Sequence, residues 1–263
     1  MPQRDTPLKN ALRDFLQSRD LRVSEIPRAA TKTPDLFVEE GAPDAVLIEI
    51  KQKTHDPKEL DSYFQQMDQG GLATRSRATG YRNRLDGIVG EGVRQFTAKD
   101  PSRSHLHVMW IHCEGYDSYL HELQLRATIY GTQKLVSTNH PNVITCYYFW
   151  NSSFYRHAPD LDGVILSRGD QAQLLLNDHS PRFKAIQQSK FATTFGTAEF
   201  SPQQYLLADD VMVCDHVQSR ESEVPTLAYL RAKYGLSHLQ TIDMGLYEGV
   251  APLPPWGADR GRV

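Results

Sequence analysis

Hydrophobic and polar positions alternate most clearly between residues 34 and 53. There Leu36, Phe37 and Val38 precede a Glu-Glu-Gly-Ala-Pro-Asp segment, and Ala-Val-Leu-Ile-Glu-Ile-Lys-Gln-Lys follows it. The pattern predicts two short strands joined by a tight turn. Val46, Ile48 and Ile50 alternate with Leu47, Glu49 and Lys51, so a period of two sets Glu49 and Lys51 on one face. Gly41, Ala42 and Pro43 supply the turn, since glycine admits unusual backbone angles and proline fixes its own. With the hairpin folded about Ala42, Asp35 lies seven residues before the pivot and Glu49 seven after it. The two carboxylates are then opposed across an antiparallel pair, where β-carbons stand roughly 4.5 to 5.5 Å apart. Two like charges at that spacing resist ionisation unless a cation sits between them. Magnesium suits such a place, as a hard ion that takes carboxylate oxygens and keeps several waters.

Helical periodicity precedes this hairpin. Pro7 is well placed in a first turn, and Leu8, Ala11, Leu12, Phe15 and Leu16 form one apolar stripe over residues 7 to 19. Leu21 to Pro27 then alternates as a first strand. After Lys53, a helix from Pro57 runs through Leu60, Phe64 and Met67 to Gly70-Gly71. Leu106 to His112 predicts a fourth strand, Tyr116 to Tyr130 a helix, and Val143 to Trp150 a strand buried on both faces. Leu161 to Ser167 and Gln171 to Leu176 predict a hairpin over Arg168-Gly169-Asp170, a sheet extension in which that tripeptide is simply a turn. Beyond Pro181, short helices around 202 to 208 and 225 to 234 flank a strand at 211 to 214. The tail from residue 251 is rich in proline and glycine and is expected to be disordered.

Composition narrows the function classes. The chain has 263 residues and a formal net charge of −3, with no global basic field to draw in nucleic acid. Charge is local instead: residues 35 to 61 hold eight acids against three lysines, and residues 70 to 104 hold seven bases against three acids. An acidic cluster beside a basic one fits metal ions gathered at a phosphate, with Arg75, Arg77, Arg82, Arg84 and Arg94 on the backbone of a bound strand. The same arginines also suit a solvated loop, which Gly70-Gly71 and Gly80 would make mobile. Tyr81 among them could stack on a base. Cys113, Cys146 and Cys214 are widely spaced and read as reduced thiols. His105, His107 and His112 beside Cys113 lack an obvious fourth zinc ligand. No apolar leader or membrane-length run is present, so a cytoplasmic protein with no membrane partner is expected.

Pro34-Asp35 followed by Glu49-Ile50-Lys51 after an apolar run resembles the PD-(D/E)XK nucleases. The resemblance covers residues 5 to 113 at best. It implies a restriction-endonuclease-like α/β/α sandwich with a mixed central sheet, here extended by further strands and helices in the C-terminal half. Residues 1–113 would be the nuclease core, 114–250 an elaboration packed on the same domain, and 251–263 the tail. It also implies that Asp35 and Glu49 bind Mg2+ or Mn2+ and that Lys51 orients or activates the attacking water. The expected activity is phosphodiester hydrolysis, foremost in DNA, such as an endonuclease of restriction or antiviral defence would perform, alone, as a homo-oligomer or with a partner protein. In that family the first helix often adds an acid, yet Asn10 and Asp14 lie away from the apolar stripe. The third metal ligand therefore stays unassigned between Asp14 and Glu25. The Gln-x-x-x-Tyr signature of some exonucleases in the family is absent after Gln65 and Gln66. Two other readings stay open: a catalytically inactive nuclease-like fold that binds nucleic acid or protein, and a metal hydrolase acting on RNA or nucleotides.

Overall fold

The computed structural model describes residues 5–27, 32–39, 45–69, 73–196, 199–205, 208, 210–215 and 222–250. The Gly41-Ala42-Pro43 turn and the 251–263 tail lie outside the described residues. Helix α1 (Asp5–Gln17) leads into an antiparallel meander of β1 (Arg22–Glu25), β2 (Leu36–Glu39) and β3 (Val46–Lys53). The chain then runs through α2 (Pro57–Asp68), β4 (Ala73–Ala78) and α3 (Asn83–Lys99) before returning as β5 (Leu106–Cys113), parallel to β3. Helix α4 (Ser118–Tyr130) follows.

Next come β6 (Gln133–Ser137), β7 (His140–Tyr147) and the short α5 (Ser153–Arg156). Strands β8 (Gly163–Arg168) and β9 (Gln171–Leu176) form the expected hairpin, and β8 lies parallel to β5. After α6 (Phe183–Gln188) and α7 (Lys190–Thr193), β10 (Glu199–Phe200) completes a mixed seven-stranded sheet in the order β1-β2-β3-β5-β8-β9-β10. The protein is thus mixed α/β, with helices on both faces of that sheet.

Alternation along the strands divides the core. Leu36, Val38, Val46, Ile48 and Trp110 pack with Leu12 and Leu16 of α1 and with Ile186 and Phe191. The opposite positions, Leu47, Met109 and Ile111, pack beneath Val89, Val93 and Phe96 of α3 and Leu125 of α4. Strand β5 is central and carries apolar residues on both faces, which is why its sequence shows no clean alternation. Gly92 sets how closely α3 approaches, because a β-carbon there would meet Met109 at 2.7 Å. Among the described residues no helix is long and apolar enough to cross a membrane.

A second sheet comprises β11 (Val211–Val213), β7, β6 and β12 (Gln240–Ile242), in that order, packed with α8 (Glu223–Tyr234) around Leu135, Ile144, Cys146 and Leu230. The strand expected at 143 to 150 is displaced to His140–Tyr147 and is not buried on both faces: Val143 is exposed while Ile144 and Cys146 point into the small core. It ends where Tyr148 takes a left-handed conformation, φ +55°. Strand β13 (Gly245–Val250) pairs antiparallel with β4. Four of the five arginines accordingly sit in regular structure, Arg75 and Arg77 on a strand and Arg84 and Arg94 on a helix, while Arg82 lies just ahead of α3.

Candidate functional site

The pairs Leu36↔Ile48, Phe37↔Leu47 and Val38↔Val46 fix the β2–β3 register. One further step along that register sets Asp35 opposite Glu49, on the face covered by α3. The Asp35 backbone N–H donates to Ile48 O at 2.9 Å, and its Oδ2 accepts the Ile50 N–H at 3.0 Å. Its other oxygen, Oδ1, lies 3.7 Å from Lys9 Nζ.

Glu49 is 3% exposed. Its Oε1 is 2.8 Å from Lys51 Nζ, while Oε2 is buried with no hydrogen-bond partner among the described residues. Burial pushes the Glu49 pKa up to about 7 from an ordinary 4.5; Lys51 and Gln95 oppose that rise, and Asp35 adds to it. An orphaned buried carboxylate oxygen is uncommon, because it forfeits its hydration with nothing in return. Lys51 also lies 3.6 Å from Glu91 Oε1, which Lys32 Nζ approaches at 2.7 Å. A cleft of about 390 Å³ lined by Lys32, Glu91, Arg94, Gln95 and Ala98 opens beside this group.

Asp35, Glu49 and Lys51 are therefore brought together, and α3 adds Glu91 and Gln95, which sequence reasoning did not single out. Their signal was present: two polar residues one helical turn apart, beside the stripe that buries Leu85, Val89, Val93 and Phe96. Neither candidate for a third acid joins them. Asp14 is exposed beside Arg13, and Glu25 pairs with Arg13 at 2.8 Å and Lys9 at 3.2 Å. Helix α1 thus sends a lysine toward Asp35 where the resemblance implied an acid.

The five arginines have separate fates. Arg75 pairs with Asp117 and Glu248, both at 2.5 Å, and lies over the Tyr116 ring, so it ties β4 to β13 and α4. Arg77 is partly buried on the same strand. Arg82 precedes α3 and donates to Ala78 O at 2.9 Å. Arg84 and Arg94 stand exposed on α3. His107 and His112 are held by Asp100, Asp160 and Ser167.

Among the described residues no group of three or more His, Cys, Asp or Glu could hold a metal ion. Asp35 and Glu49 offer hard oxygen donors and one unsatisfied oxygen. That set fits an ion which uses one or two carboxylates and keeps its waters, as Mg2+ does, and does not fit a closed zinc cage. The chain matches no protein-family model, no curated protein and no solved structure.

Proposed function

We propose that this chain is a metal-dependent nuclease that hydrolyses phosphodiester bonds, with DNA as its substrate class and a fold of the restriction-endonuclease-like kind. The reading rests above all on Glu49: a carboxylate opposed to Asp35, neighboured by Lys51, and buried with one oxygen unsatisfied. The element order supports it as well, since α1, the β1–β2–β3 meander, a helical crossover and a parallel β5 match what the motif's context calls for.

Asp35 and Glu49 would hold Mg2+ or Mn2+. Such an ion, when bound, supplies an acidified water and neutralises charge on the phosphate. Glu49 must give up its proton to serve as a ligand, and its raised pKa places that loss near neutrality. Lys51, fixed between Glu49 and Glu91, presents its ammonium at one place, where it orients water and compensates charge developing on the phosphate. Arg94, exposed beside the cleft, holds substrate backbone.

One observation favours the inactive binding module as a second reading. Both oxygens of Asp35 already have company, from the Ile50 N–H and from Lys9. The two readings separate in a cleavage assay on plasmid, linear duplex, single-stranded DNA and RNA, with Mg2+, Mn2+ or EDTA. Metal-dependent cleavage that disappears in D35A and E49A is expected, and K51A should lose cleavage while retaining Mn2+ binding by calorimetry. Nucleic-acid binding with no cleavage of any substrate would reject the nuclease in favour of the module.

A further inference from the structure

The cleft beside Lys51 holds more positive charge than its one carboxylate answers. Lys32, from the chain just ahead of β2, and Arg94 of α3 line it together with Glu91. Lys32 Nζ lies 2.7 Å from Glu91 Oε1, and Lys51 Nζ lies 3.6 Å from the same oxygen. Arg94 stands three residues along α3 from Glu91 and is its neighbour on the helix surface. It is exposed, and among the described residues it forms no ion pair. One carboxylate oxygen thus bridges two ammonium groups, with an unpaired guanidinium beside it.

The bridge reaches the buried carboxylate as well. Lys51 Nζ is 2.8 Å from Glu49 Oε1, so a single ammonium touches both acids. Among the described residues Glu91 belongs to no group of three that could hold a metal ion, and a role as third metal ligand does not fit it. The two acids differ in how firmly they are held. Glu49 is buried, whereas the Glu91 and Lys32 side chains are 39% and 76% exposed. An ion pair that open contributes little against water and weakens with salt, so another anion replaces it at small cost. A backbone phosphodiester carries a full negative charge and two anionic oxygens. Lysine meets it as a point charge, and arginine through paired N–H groups.

We infer that the Glu91 carboxylate holds the place of a substrate phosphate: a phosphodiester next to the one at Glu49 displaces Glu91 from Lys32 and is held by Lys32 and Arg94. Lys32 is then a substrate-binding residue, and Glu91 a competitor built into the helix. The identity of the substrate as a nucleic-acid strand rests on the nuclease reading. The exchange has a signature in salt. In the wild type, a phosphate that takes Lys32 releases a counterion, while Glu91, left without its lysine, takes a cation up, and the two nearly cancel. With Glu91→Gln (E91Q) only the release remains, so the slope of log affinity against log salt steepens by up to about 0.9 on duplex DNA.

Binding of a short labelled duplex to the full chain is measured by fluorescence anisotropy in EDTA, so that neither metal nor cleavage enters. E91Q should bind about fivefold tighter than wild type at low salt, because one exposed pair no longer has to be broken, and its salt slope should be the steeper one. K32A/E91Q should lose most of that gain when compared with K32A. Both side chains face solvent, so the variants keep the fold, and urea denaturation checks that they do.

Unchanged or weaker binding by E91Q would overturn the exchange and leave Glu91 as a support for Lys51. A gain that persists in full in the K32A background would overturn it too, since removing any negative charge from the path of DNA has that effect. The nuclease reading fails separately. Cleavage by the wild type in Mg2+ without the E91Q gain would leave the nuclease standing and refute the exchange; the gain without cleavage of any substrate would keep the exchange, in a binding module.

Discussion

The central sheet carries two clusters of buried charge, and they are built in opposite ways. At the amino end of β5, Asp100 accepts the backbone N–H groups of Ser104 and His105 at 3.0 and 2.8 Å, and meets His107 Nε2 at 3.2 Å. Asp162, fully buried, accepts from Arg103 at 2.9 Å, from Ser180 at 2.5 Å and from the His107 N–H at 2.7 Å. Burial alone would raise the Asp100 pKa, but the Ser104 and His105 N–H groups and the His107 and His105 rings outweigh it and hold the carboxyl well below the usual range. On β3, by contrast, burial wins at Glu49, and one oxygen has no donor among the described residues. The first cluster is complete without any ligand and serves the fold. The second is incomplete, and its deficit falls where carboxylate chemistry would be useful.

That contrast is broken most directly by mutation. D162A should cost about 3 kcal/mol or more, because Arg103, Ser180 and the His107 amide lose a shared buried acceptor. E49Q removes a charge that lacks a full set of partners, and at pH 7 in EDTA it should cost little or stabilise. Urea denaturation measures both, and a larger loss for E49Q than for D162A would make Glu49 a structural residue.

A change of pH sharpens the same comparison. The folded chain holds the Glu49 proton more tightly than the unfolded chain does. The resulting stabilisation is complete below the unfolded value of about 4.5 and is lost as pH rises through about 7. The change is on the order of 3 kcal/mol. E49Q should flatten that slope, and Mg2+ should offset the loss by binding the ionised form. A wild-type slope in E49Q would assign the titration to another group.

The smallest effect concerns the arginines. Each phosphate contact contributes about 0.9 to the slope of log affinity against log salt on duplex DNA. Replacing Arg84 and Arg94 together should lower the slope by up to about 2, read by fluorescence anisotropy in Ca2+. R75A should leave the slope alone and lower stability instead, since Arg75 is held by Asp117 and Glu248. A slope change in R75A with none in the double variant would reverse these roles.

The β2–β3 hairpin is legible in the amino-acid sequence, because side-chain alternation and turn chemistry are local properties of the backbone. An antiparallel pair folded about Ala42 can oppose Asp35 only to Glu49, and the observed register agrees. Helix α1 is legible through its apolar stripe, β5 through a nearly unbroken apolar run, and the β8–β9 hairpin through the turn at its centre. The environment of those residues is not. Period two places Glu49 on a face, but only α3, brought close by Gly92, turns that face into a buried one and leaves an oxygen unsatisfied. Arg75 and Arg84 are nine residues apart in the same basic segment. One becomes an internal tie because β13, which carries Glu248, returns to pair with β4; the other stays exposed on a helix. Sequence alone determined which groups share a strand face, since that follows from covalent geometry. Tertiary structure decided which of them are satisfied, since that depends on partners as distant as the 173 positions between Arg75 and Glu248.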